Sequence, residues 1–258
     1  MFNVITRLNI GRYCCKKKDP SQQDKKDTVV SADAVTERAL EQCASWVVQS
    51  LVAQTDRDFG FFLLVDNRTS DHLKTKISEA IRVVGGTILY DKRKGYWKEK
   101  ITVCDGCGWL EDYRMVCSGA KRVSTARVDI DDFLMPRFVE IMKSLAVNCG
   151  TPALLDPLNY FYVDSKREFY VSSDNLVRPS ECCVMVERVR DVGTPYRVQH
   201  TKLHKITKTQ HLIGVEELWG KRVHYKGERD ELFERQDQNG QRLPFKHKDF
   251  NSFLRGRK

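Results

Sequence analysis

Apolar positions recur at helical spacing across residues 32 to 54, where Val35, Ala39, Cys43, Trp46 or Val47, and Leu51 fall on one stripe. Ser31 or Asp33 suits the N-cap of that helix. Residues 59 to 65 form an unbroken apolar run of strand length, the pattern of a strand covered on both faces. A second helix is predicted over 70 to 84, with Ser70 as N-cap and Leu73, Ile77, Ala80, Ile81 and Val84 as its stripe. Gly85-Gly86 ends it, because glycine accepts the left-handed conformation at a helix C-terminus. Residues 87 to 90 then read as a strand. A strand–helix–strand unit of this length predicts a parallel pair joined by a crossover.

The pattern continues less regularly. A turn at Arg93-Lys94-Gly95 lies inside a stretch, 91 to 103, that ends in a return strand. A third helix is expected over 132 to 147, with Pro136 in its first turn and Phe138, Ile141, Met142 and Leu145 at core spacing. Residues 160 to 163 and 168 to 171 flank a four-residue loop and read as a hairpin, and 183 to 189 as another strand. Beyond residue 190 the periodicity fades. The fold class is therefore α+β with a mixed α/β core, divided into a flexible basic arm (1–30), the core (31–190) and a basic, irregular C-terminal extension (191–258). The unit over 59 to 90 resembles the opening of BRCT-type modules; the tryptophan of that family's later helix has no match here, and no function is carried from it.

Charge changes the picture. Residues 188–258 hold 17 Lys and Arg against 9 Asp and Glu, nearly all of the chain's net +9, together with His200, His204, His211, His224 and His247. Cations neutralise phosphates and aromatic faces stack on bases, so this composition predicts a polyanion-binding surface. The expected function is a non-enzymatic nucleic-acid-binding protein, RNA or single strands favoured. The expected contacts are Lys92, Arg93, Lys94, Tyr96, Trp97, Lys98, Lys202, Lys205, Lys208, Lys221, Arg222, Lys246, Lys248, Phe250, Arg255, Arg257 and Lys258. A solvated basic surface that binds nothing is the alternative. Tyr13-Cys14-Cys15 and the lysines at 16 to 18 could be acylated and meet anionic membrane, or simply be an exposed arm.

Cysteine spacing supplies candidate chemistry. Cys104 and Cys107 stand two residues apart among glycines, and Cys117 follows, so a zinc knuckle over 104–117 is expected to hold structural zinc with a fourth ligand from elsewhere. The alternative is a tight turn with buried thiols. Cys107 or Cys149 could instead be a nucleophile with a histidine such as His204 as its base, which would make the chain a cysteine hydrolase. His200 and His204 lack the glutamate of a zinc protease motif. Asp129, Asp131 and Asp132 could hold a cation, but the N-terminus of the expected third helix accounts for them as well. Phosphate-loop, dinucleotide-loop and serine-elbow motifs are absent, which argues against ATP-driven and nicotinamide chemistry. No apolar run approaches the ~20 residues of a membrane span, and the N-terminus does not read as a secretory signal, so an intracellular location, cytoplasmic or nuclear, is expected. A viral matrix or accessory-type assembly protein fits the same basic composition.

Overall fold

The computed structural model describes residues 1–10, 32–92, 108–157, 159–163, 168–173, 182–196, 203, 205–207, 209–213, 218–222 and 245–246. Its centre is β1 (Phe2–Arg7), flanked in parallel by β2 (Gly60–Asp66) and by β4 (Arg122–Val128). β3 (Thr87–Asp91) extends the sheet beyond β2. On the other side β9 (Val184–Arg188) pairs antiparallel with β4 and with β6 (Ala153–Pro157), and β10 (Thr209–Ile213) pairs parallel with β6 at the edge. The order is β10-β6-β9-β4-β1-β2-β3, with β9 alone running against the rest. A second sheet of order β12-β8-β7-β11-β5 comprises β5 (Asp132–Leu134), β7 (Asn159–Val163), β8 (Glu168–Ser173), β11 (Trp219–Arg222) and β12 (Phe245–Lys246). The mixed α/β core expected from the pattern is present, and described residues beyond 190 supply strands to both sheets.

Helices cover both faces of the large sheet, as parallel strands require. On one face α1 (Ala32–Cys43), α3 (Asp71–Arg82) and α5 (Phe138–Asn148) place Ala39, Cys43, Ile77, Ile81, Phe138 and Met142 against Val4, Phe61, Leu63 and Val65. On the other, α4 (Trp109–Cys117) sets Trp109, Leu110 and Tyr113 against Ile5, Phe62, Leu64 and Val123. Each Ile, Leu, Val, Phe or Met among them contributes about 1.5–3 kcal/mol by leaving water. The helix predicted over 32 to 54 passes through a π turn, Ala44–Val48, into α2 (Gln49–Val52). In that turn Trp46 stacks on Phe133 of β5 at 5.8 Å.

Local signals survive where burial and periodicity agree. α3 begins after Ser70 and ends at Gly85, whose φ of 62° is the left-handed conformation expected there. β2 and β3 pair in parallel, and β7 and β8 form the predicted hairpin. The third helix departs from expectation. Residues 132 to 134 are strand, because their backbone pairs antiparallel with β11, and the helix starts only at Phe138. Asp129, Asp131 and Asp132 therefore follow the C-terminal end of β4 and do not cap a helix. β1, β4 and α4 were not foreseen. Their runs are broken by Asn3, Thr125 and Tyr113, which satisfy one another in the interior: Asn3 Nδ2 donates to Tyr113 Oη at 2.8 Å, and that hydroxyl bonds Thr125 Oγ1 at 2.8 Å.

Candidate functional site

β1 is where the strand order reverses. The chain passes outward to β2 and β3, then returns to place β4 on the opposite side of β1. In open α/β sheets the loops at such a reversal part, and ligands bind in the crevice beyond the carboxyl ends of the strands. Here the β1–β4 ladder ends at Thr6 and Val128.

Four side chains gather at that edge. Arg7, the last residue of β1, approaches Asp129 at 3.6 Å, and its side chain is 33% exposed. Arg127, near the end of β4, binds the same carboxylate at 2.8 Å from a buried position. Burial acts against the Arg127 charge, but the Asp129 carboxylate beside it raises its pKa further above the usual guanidinium range. Both guanidiniums lie over the ring of Tyr196, at 4.8 and 5.0 Å from its centre. The Tyr196 hydroxyl donates to the carbonyls of Ile5 at 3.2 Å and Val128 at 3.3 Å, tying β1 to β4 where their ladder stops. Burial raises the Tyr196 pKa, Asp129 adds to the rise, and the phenol stays neutral. Asp131, partly exposed, stands two residues beyond Asp129 on the same loop.

The other flank of β1 is tied together by hydrogen bonds. Asn9 Nδ2 donates to Thr36 Oγ1 at 3.0 Å and Thr69 Oγ1 at 2.9 Å, while its Oδ1 accepts from the Asp66 N–H at 2.9 Å. Asp66, at the end of β2, accepts two bonds from the Arg68 guanidinium at 2.8 and 2.5 Å and stands in register with Asp91 at the end of β3. Carboxylates thus end β2 and β3 and follow β4, the three parallel strands around β1, with Arg7, Arg68 and Arg127 as counter-charges. Such a rim can hold an anionic group by its arginines and polar or cationic groups by its acids.

The residues singled out in the sequence lie elsewhere. Lys92 is exposed and paired with Asp112 at 3.1 Å; Lys205 is exposed on a short turn. Lys221 and Arg222 lie on β11 and Lys246 on β12, with side chains outside the described residues. Arg93, Lys94, Tyr96, Trp97, Lys98, Lys202, Lys208, Lys248, Phe250, Arg255, Arg257, Lys258, Cys104, Cys107 and His204 all lie outside the described residues. Cys117 ends α4, buried, with Asn3 Nδ2 at 3.5 Å from its sulfur; burial raises its pKa, the reverse of what a metal thiolate needs. Among the described residues no three His, Cys, Asp or Glu side chains are placed to hold a metal. Cys149 donates to the Leu145 carbonyl at 3.2 Å, and burial raises its pKa too, so it is a poor nucleophile. Arg7, Arg127 and Tyr196 were missed. The signals available were a basic residue closing or nearly closing each of two short strands, and the Asp129-x-Asp131 spacing after the second.

No protein-family model and no curated protein matches the chain. Some solved structures align with it at low identity and with TM-scores below 0.5. S. aureus TarS has a TM-score of 0.45 at 11% identity, covering 86% of this chain and 36% of TarS. The inositol-1-phosphate CTP transferase of T. maritima has a TM-score of 0.36 at 9% identity, covering 88% of this chain and 90% of that one. A protein of Desulfovibrio desulfuricans assigned as a nucleotide-diphospho-sugar transferase has a TM-score of 0.41 at 8% identity, covering 99% and 94%. The chain thus spans about a third of TarS. None of these neighbours is named as an RNA binder, a viral assembly protein or a cysteine hydrolase, the functions expected from the sequence. Two of the three expected zinc ligands, Cys104 and Cys107, lie outside the described residues. No helix among the described residues is long and apolar enough to cross a membrane.

Proposed function

We propose that the crevice beyond β1 and β4 binds the diphosphate of a nucleotide-activated donor, and that the chain is a transferase of the group that donor carries. The observation that supports this is the meeting of Arg7, Arg127 and Asp129 at the reversal point of a sheet with six parallel strands. The named neighbours align only loosely, and the reading rests on this geometry. Arginine suits the task because its planar fork meets two phosphate oxygens at once and stays charged. Arg7 has the exposure to reach a ligand, whereas Arg127 is buried and holds Asp129 in place. Asp131 is the carboxylate that would hold a divalent cation accompanying the nucleotide, since such cations commonly take one or two carboxylates. The cation's chemistry there would be to neutralise charge on the leaving diphosphate.

Calorimetric titration with UDP, CDP, GDP and dTDP, with and without magnesium or manganese, tests the reading. At least one should bind, and Arg7→Ala should weaken that binding by about tenfold or more, the loss of a charged hydrogen-bonded contact. Failure of all four to bind the wild-type chain under every metal condition overturns it.

A further inference from the structure

Tyr196 is buried against the site yet comes from a turn distant in sequence, and that turn is held in an unusual way. Thr194 has φ of 59°, a conformation that a β-branched residue rarely adopts. The buried Glu187 carboxylate accepts the N–H groups of Gly193 at 3.0 Å and Thr194 at 3.1 Å, which is what holds Thr194 there. Thr194 Oγ1 then accepts the Tyr196 N–H at 3.3 Å. From α4, Arg114 donates twice to the Val192 carbonyl, at 3.0 and 2.8 Å. One residue of β9 and one of α4 thus over-determine five residues of turn, and the turn delivers a single ring beneath two guanidiniums that share one carboxylate.

We infer that Tyr196, presented by the Glu187-anchored turn 192–196, is a positioning residue that holds Arg7 in place over the mouth of the crevice. The inference rests on the proposed diphosphate site and says how that site is kept pre-organised. Arg7 has a long side chain and a contact to Asp129 of only 3.6 Å. Left to that contact alone it would sample many rotamers, and each would have to be given up on binding. The aromatic face restricts those rotamers while leaving the guanidinium's edge N–H groups free to meet phosphate oxygens. The hydroxyl has a separate duty, bridging Ile5 and Val128, so ring and hydroxyl can be tested apart.

The experiment titrates the best-binding nucleoside diphosphate into the full-length wild type and into Tyr196→Leu, Tyr196→Phe, Glu187→Gln and Arg7→Ala, over a salt series, with circular dichroism as a check on folding. Tyr196→Leu should lose about tenfold in affinity and show a shallower salt dependence, approaching Arg7→Ala. Tyr196→Phe keeps the ring and should restore most of the affinity. Glu187→Gln, which loosens the turn without touching Arg7, should fall between them. Folded Tyr196→Leu and Glu187→Gln proteins that bind with wild-type affinity and salt slope, while Arg7→Ala is weak, would overturn the positioning role and leave the diphosphate site standing. If Tyr196→Leu does not fold, Glu187→Gln decides by the same criterion. Wild-type protein that binds no nucleoside diphosphate removes the site and the inference together.

Discussion

Asn9 shows how much a single residue can do at the end of a strand. Its amide holds Thr36 within α1, Thr69 before α3, and the backbone of Asp66 at the end of β2. No periodicity announces such a residue, because its value lies in partners 27 and more positions away. The buried cysteines are a different case: their composition was visible, and their environment was not. Burial pushes the thiols of Cys43 and Cys183 up to about 12 from an ordinary 9.0. In the unfolded chain both ionise near 9.0, whereas the folded protein keeps them protonated to about 12. Unfolding therefore releases protons in that window, and this share of stability is whole below pH 9.0 and is lost as pH rises toward 12. Each thiol should contribute a decline of about 1.4 kcal/mol per pH unit. Urea midpoints above about pH 9 should fall accordingly, and Cys43→Ala should flatten the decline by one proton's share. An undiminished slope in that variant would mean that Cys43 does not resist ionisation where it sits.

At the scale of elements, local pattern served where an element's own residues supply its partners. α3 is legible because its stripe lies within its own span and Ser70 and Gly85 flank it closely in sequence. α5 is less so. Its C-terminus is closed from outside by Arg122 of β4, whose guanidinium donates to the carbonyls of Val147 at 3.1 Å and Ala146 at 3.0 Å, and also to that of Cys149. A cation is favourable at that end of a helix, and it satisfies carbonyls that lack partners inside the helix. Arg122→Met keeps the stem and removes every donor. It should cost about 1–3 kcal/mol in urea unfolding, with the m-value unchanged. A loss below a few tenths would show that water replaces the guanidinium without penalty. β5 makes the same point more sharply: Asp132-Phe133-Leu134 reads as a helix start, and pairing with β11 makes it a strand.

At the scale of the molecule, β5 joins the two sheets, since it leaves the end of β4 and enters the second sheet against β11. The seam depends on Gly220, where an added Cβ would lie 2.1 Å from Phe133 Cζ. Phe133 is itself buried and stacked on Trp46, so it has little room to yield. Gly220→Ala should therefore destabilise by about 1–3 kcal/mol, an overpacking cost. Because the acidic loop 129–131 sits at the start of this seam, the variant should also weaken nucleoside diphosphate binding. A variant as stable as wild type would mean that β5 and β11 can move apart by the ångström required.

The order of apolar and polar positions was enough to determine α1, α3, the β2–β3 crossover and the β7–β8 hairpin, because hydrophobic period and capping are local properties. It also announced the basic composition of the C-terminal third, though charge alone misdirected the functional reading. Tertiary structure decided the rest. β1 and β4 exist as buried strands because Asn3, Thr125 and Arg127 find partners on other elements, so their polarity is no obstacle to burial. The candidate site exists for the same reason: Arg7, Arg127, Asp129 and Tyr196 come together only when parallel pairing places β4 beside β1 and the 192–196 turn folds back over both. A constellation drawn from residues up to 189 positions apart has no local signature, because strand order, which creates it, is set by packing between elements.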